Sequence, residues 1–134
     1  MAVVLVSDSL APQGLEATFA RTEKLAHATR EAMGAIGLDL LAPDAPSPAC
    51  TAVMVPEGVD GPALRKTLRD QYGYTVADGQ GRLKGKIFRI AHLGYFDRFD
   101  TIGCIAAVEM ALSSVGYVHE VGEATRTATL LLRD

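Results

Sequence analysis

The run Gln80-Gly81-Arg82-Leu83-Lys84-Gly85-Lys86-Ile87-Phe88-Arg89-Ile90-Ala91-His92-Leu93-Gly94-Tyr95 carries more structural information than any other part of this chain. Within it, Lys86 to Ala91 alternates charge with Ile87 and Ile90, as a half-buried strand does. Just upstream, Asp78-Gly79-Gln80-Gly81 reads as a tight connection and Tyr74 to Ala77 as a short strand candidate. Strands so near in sequence cannot be joined only by crossover helices, so a small, mainly antiparallel sheet is expected.

Toward the N-terminus, Leu15, Phe19, Thr22, Ala26, Thr29, Met33 and Ile36 recur at steps of three and four, which predicts a long amphipathic helix from Gly14 to Ile36. Pro12 suits its first turn, Glu16 its positive end and Gly37 its stop. Leu38 to Leu41 is a short apolar piece, and Pro43, Pro46 and Pro48 then impose a loop. Cys50 to Val55 is rich in β-branched residues and reads as a strand closed by Pro56-Glu57-Gly58. Asp60 stands where a helix N-cap belongs, ahead of Leu64, Leu68 and Tyr72, and Gly73 ends that helix. Further on, Asp100 is expected to cap a core helix with Ile102, Ile105, Ala106, Met110 and Leu112 facing inward, ending at Gly116. A weaker helical stretch runs from Glu120 to Leu132. Helix, strand, helix, strands, helix, helix is the order of an α+β domain: one small sheet covered by helices.

Composition excludes several classes. With 134 residues, of which 49% are apolar, one globular core is expected. A formal net charge of -3, its signs scattered, leaves no basic stripe for a nucleic-acid backbone. Runs such as Ala2 to Val6 and Leu130 to Leu132 fall far short of the roughly 20 apolar residues that cross a bilayer. The N-terminus has no signal-peptide pattern, so a cytoplasmic location is the expectation. Phosphate loop, metal-spaced Cys or His pairs and nucleophile elbow are all absent from the sequence. Cys50 and Cys104 read as reduced core residues with no nearby base to activate them.

Arg89 is the first candidate for function, because a guanidinium inside the apolar run Ile87 to Ala91 is costly unless an anion meets it. Three readings stay open: a carboxylate of the same fold, a solvated strand face, or a bidentate grip on a ligand carboxylate. His92 reads as a structural histidine at a strand end or as a general acid or base. Gly94 marks a position of positive φ or close packing. His27 and His119 are expected on helix or loop surfaces, and Glu109 facing solvent or paired across the core surface. Gly79-Gln80-Gly81 is a turn or a ligand-cradling loop. No pair of carboxylates has acid–base spacing.

From Gln80 to Tyr95 the chain resembles the C-terminal small domain of the class V, fold-type I aminotransferases, the alanine-glyoxylate and serine-glyoxylate (serine-pyruvate) group. Gly14-Leu15-Glu16 with Arg21, Thr51-Ala52-Val53 leading to Pro56-Glu57-Gly58-Val59-Asp60, and the helix around Glu109 closing at Gly116 agree in order, so the resemblance covers about residues 14 to 118. It implies residues 14–134 as the C-terminal domain and 1–13 as a non-matching segment. In this family a large domain holds pyridoxal phosphate on a lysine, and the small domain contributes an arginine for the substrate's α-carboxylate; by motif position Arg89 is that residue. Lys24, Lys66, Lys84 and Lys86 do not match the cofactor lysine. The resemblance thus implies transamination between a small amino acid (serine, alanine or aspartate) and glyoxylate or pyruvate for the parent enzyme, with this chain alone inactive and cofactor-free. Its expected partners are a substrate carboxylate and a large cofactor domain or a homodimer mate. The other reading is a stand-alone, non-catalytic carboxylate-binding or dimerisation module.

Overall fold

Helix α1 (Leu15–Ala35) opens the part of the chain that the structure, a computed structural model, describes: residues 14–93 and 96–134. The expected segment 1–13, with Pro12, and Gly94 with Tyr95 lie outside the described residues. Along α1 the buried face is Thr18, Thr22, Leu25, Ala26, Ala28, Thr29, Ala32 and Met33. It is wider than the expected stripe because α1 packs against the last helix as well as the sheet. Thr29 satisfies its hydroxyl on the Leu25 carbonyl one turn back, 2.8 Å away. Leu15 and Phe19, expected inward, are 56% and 61% exposed, while Thr18 and Thr22 in the same turns are buried.

Strand β1 (Cys50–Met54) and helix α2 (Gly61–Tyr72) follow the proline loop. The expected cap holds, since Asp60 Oδ1 accepts from Ala63 N at 3.1 Å. Gly73 takes the left-handed conformation, φ 76°, and Tyr74 N donates to Leu68 O at 3.0 Å. That bond moves the next strand, because Tyr74 belongs to the end of α2: β2 (Ala77–Asp78) starts later than the expected Tyr74 to Ala77. After the short 3-10 turn Gly81–Leu83 comes β3 (Ile87–Ala91), the central strand of the antiparallel order β1-β3-β2.

The register sets Thr51 opposite Ile90, Ala52 opposite Arg89 and Val53 opposite Phe88. Thr51, Val53, Phe88 and Ile90 turn toward the helices, and Val53, Phe88 and Ile90 join Met33, Leu64, Leu68, Ile105, Val108 and Leu112 in the main core. Ile87 cannot share that face with Ile90, since neighbours three apart on a strand point to opposite sides. It is buried on the other side, beneath Gly79: a Cβ at Gly79 would collide with Leu83 O and lie 2.8 Å from Ile87 Cγ1.

Helix α3 (Arg98–Ser114) starts before the expected Asp100. Asp97 is the N-cap and Asp100 its reciprocal partner three residues on: Asp100 N donates to Asp97 Oδ1 at 2.9 Å and Asp97 N to Asp100 Oδ2 at 3.0 Å. Its buried face runs through Thr101, Ile105, Val108 and Leu112, which leaves Met110, expected inward, 51% exposed on the far side. Helix α4 (Glu123–Leu132) packs along α1 and α3. The architecture is the expected α+β one, a small antiparallel sheet with helices on one face. Among the described residues no helix is long and apolar enough to cross a membrane.

Candidate functional site

The sheet face without helices carries Ala52 and Met54 of β1 and Ile87, Arg89 and Ala91 of β3, by the alternation of both strands. A shallow cleft of about 200 Å³ crosses it, lined by Leu41, Ala52, Gly79, Gln80, Leu83, Ile87 and Arg89. Arg89 is half-buried there, and its Nε donates to the Asp78 carbonyl oxygen at 3.0 Å. That one bond fixes the plane of the guanidinium while engaging only one of its five N–H groups. Among the described residues no carboxylate forms an ion pair with Arg89. Of the three readings left open by the sequence, partnership with a carboxylate of the described fold therefore falls away.

Asp78 is the carboxylate closest in the chain to this site, and it is committed elsewhere. Its Oδ1 accepts from Gly79 N at 2.7 Å and Gly85 N at 2.8 Å, and its Oδ2 pairs with Arg65 at 3.0 Å. The hydrogen bonds from Gly85 and Gly79, with the Arg65 and Lys84 charges, hold its carboxyl below the ordinary aspartate range. Asp78 thus ties down the Gly79–Gly85 turn and, through its own carbonyl, positions Arg89. Sequence reasoning missed this double role of Asp78 and the part of Arg65; the signal was an aspartate directly before Gly-Gln-Gly, where a side chain caps its own turn.

His92 sits on the opposite, helix-covered side. It is 1% exposed, its ring Nε2 lies 2.7 Å from Thr51 Oγ1, and its backbone N donates to Ala49 O. Burial, followed by the Arg30 charge, pushes its pKa down to about 4, so the ring is neutral at neutral pH. A ring enclosed on that side cannot reach a group in the Arg89 cleft, which supports the structural reading over acid–base work. His27 is exposed on α1. His119 differs from the expected surface histidine: its side chain is 1% exposed, its ring stacks on Tyr117, and its Nε2 stands 3.7 Å from Glu109 Oε1.

Glu109 also differs from expectation. It is buried and accepts from Gly122 N at 3.0 Å, Ala124 N at 3.3 Å, Thr125 N at 3.1 Å and the Thr125 hydroxyl, so it caps α4 from another helix. Cys50 and Cys104 are free thiols, and burial pushes Cys104 up to about 11. Lys24, Lys66, Lys84 and Lys86 are all exposed, and none lines the Arg89 cleft. Among the described residues no cluster of His, Cys, Asp and Glu has the arrangement of a metal site.

No family model matches the chain. Over 108 residues, 80% of its length, it is 43% identical to the small subunit of a soluble hydrogenase from Synechococcus sp. (strain PCC 6716), of which it spans 28%. Over 123 residues, 90% of its length, it is 39% identical to the serine–glyoxylate aminotransferase of Hyphomicrobium methylovorum, of which it spans 30%. The fold matches that of the ureidoglycine–glyoxylate aminotransferase from Bacillus subtilis with a TM-score of 0.88 at 31% identity, over 93% of this chain and 33% of that one. The chain therefore spans about a third of the length of the proteins it matches.

Proposed function

Because the chain belongs to the class V aminotransferases, whose sequence and fold it shares over about a third of their length, we propose that it is the part of such an enzyme that grips the substrate's α-carboxylate. Residues 14–134 are then the family's C-terminal domain, and Arg89 is its substrate-binding residue. The observation that carries this reading is a guanidinium half-buried in a cleft, held by the Asp78 carbonyl at 3.0 Å, with no carboxylate of the described fold paired to it.

A planar fork fixed at Nε presents its terminal N–H groups for two parallel bonds to a carboxylate. Both an amino acid and a 2-oxo acid offer that group at the carbon next to the reacting one, so a single clamp serves both halves of a transamination. Fixing the carboxylate orients the substrate's Cα–H bond, and orientation is where a positioned arginine contributes to rate. The whole enzyme's reaction is then transfer of an amino group from serine, alanine or aspartate to glyoxylate or pyruvate.

The family's enzymes use pyridoxal phosphate, which supplies the electron sink for this chemistry. The described residues do not fit that group: all four of the chain's described lysines are exposed, and none stands beside Arg89. The cofactor belongs, on this reading, to the large domain or to a homodimer partner, and the chain alone is inactive. Mixed with pyridoxal phosphate and reduced with borohydride, it is expected to show no stoichiometric adduct by intact mass.

The decisive experiment is a chimera in which this chain replaces the matching third of the Hyphomicrobium methylovorum serine–glyoxylate aminotransferase. It is expected to transaminate serine with glyoxylate, and Arg89→Gln to lower kcat/KM by about 100-fold or more. A folded chimera whose Arg89→Gln variant keeps full kcat/KM removes Arg89 from the site.

A further inference from the structure

At Asp78 the turn before β3, helix α2 and the Arg89 side chain are joined. The Asp78 carbonyl holds Arg89 Nε at 3.0 Å, and its Oδ1 accepts from the amides of Gly79 and Gly85 at 2.7 and 2.8 Å. Both amides belong to the turn that Asp78 itself opens, so they fix the shape of that turn and not its place against the helices. Strand β2, which supplies the carbonyl, has only two residues and lies at the edge of the sheet. Pairings so short and so close to solvent open at lower cost than central ones, so the support of Arg89 needs a further tie.

That tie comes from α2. Arg65 Nη2 stands 3.0 Å from Asp78 Oδ2, and both side chains are half-buried, where an ion pair is screened less than on an open surface. The start of α2 lies directly on the far end of the turn, since a Cβ on Gly61 would collide with Gly85 O. Arg65, one helical turn further on, is thus delivered to Asp78 by backbone packing. We propose that Arg65 is a positioning residue for Arg89: its ion pair with Asp78 keeps the β2 carbonyl where Arg89 Nε meets it, and so aims the terminal N–H groups of Arg89 at the substrate carboxylate. The role rests on the reading of Arg89 as the carboxylate grip. A fork held in one plane before the ligand arrives loses less freedom on binding, so releasing Asp78 weakens the grip without removing any group that touches substrate.

Hydrogen exchange of the Arg89 Nε–H, followed by NMR in the isotope-labelled full chain, reads this support directly. Arg65→Gln is expected to speed that exchange by at least about tenfold and to leave the backbone amides of Phe88 and Ile90 unchanged. Arg65→Lys, which keeps a charge for Asp78, is expected to restore most of the protection. Should Arg65→Gln fail to fold, Asp78→Asn removes the same charge pairing while keeping an oxygen for the two glycine amides, and the same acceleration is expected. In the chimera with the Hyphomicrobium methylovorum enzyme, Arg65→Gln is expected to lower kcat/KM about tenfold, mainly through KM, and to add no loss in the Arg89→Gln background. Unchanged Nε–H exchange, equal acceleration at the strand amides, or the same loss in both backgrounds overturns the positioning role. The reading of Arg89 itself fails by a different result, full kcat/KM in the folded Arg89→Gln chimera.

Discussion

Histidine 92 shows what a single position does when its strand carries it into the core. The unfolded chain takes up a proton on this ring below about 6.5, whereas the folded chain does so only below about 4. The folded pKa is the lower one, so stability is full above pH 6.5, falls as the pH drops toward 4, and changes no further below that. The whole effect is roughly 3 kcal/mol. Denaturant midpoints measured at pH 7 and pH 4.5 should therefore differ by less in His92→Gln than in the parent chain, because a glutamine keeps a partner for Thr51 without a titrating group. Equal pH dependence in the two chains would show that the ring takes up its proton as readily in the fold as in the unfolded chain. The same separation of faces explains why Arg89, three residues earlier on β3, points into an open cleft while His92 is enclosed.

Among the elements, α4 depends most on a residue outside itself. Gly122 stands at its N-cap without a side chain to offer, and the carboxylate of Glu109 on α3 meets the free N–H groups instead. Removing it strands those donors in a buried place. Glu109→Ala should cost about 3 kcal/mol in urea unfolding, and hydrogen exchange at Ala124 and Thr125 should accelerate more than at the amides of α2. Uniform acceleration across the chain would mean that α4 has no separate dependence on Glu109. Exact ends in other elements were set the same way, by partners: Tyr74 was drawn into the close of α2, and Asp97 with Asp100 moved the start of α3 forward. Helix α2, whose cap and stop are both local, is legible in the sequence from Asp60 and Gly73.

At the scale of the molecule, the helices enclose one sheet face and leave other apolar surface in the open. Leu15 and Phe19, one turn apart on α1, are both more than half exposed, as are Phe99, Val118 and Val121. Exposed apolar residues spaced four apart on one helix form a stripe suited to another apolar surface. The chain by itself is expected to self-associate as its concentration rises, and Leu15→Ser with Phe19→Ser to shift sedimentation velocity back toward the monomer. A monomer at every concentration would place those residues outside any contact.

Period and punctuation in the chain determined the class of fold, the order of the elements, the caps of α2 and the candidacy of Arg89, because each depends on residues within a turn or a strand of one another. Tertiary structure alone decided which face each helix buried, since the choice at Leu15, Phe19 and Met110 rests on what packs against them from far along the chain. It alone showed that Asp78 is spent on Arg65 and two glycine amides while Arg89, among the described residues, meets the Asp78 carbonyl and no carboxylate, and that Glu109 serves a helix beginning more than ten residues later. Charge in a sequence states what a side chain needs; only the packed fold brings, or withholds, the group that meets it.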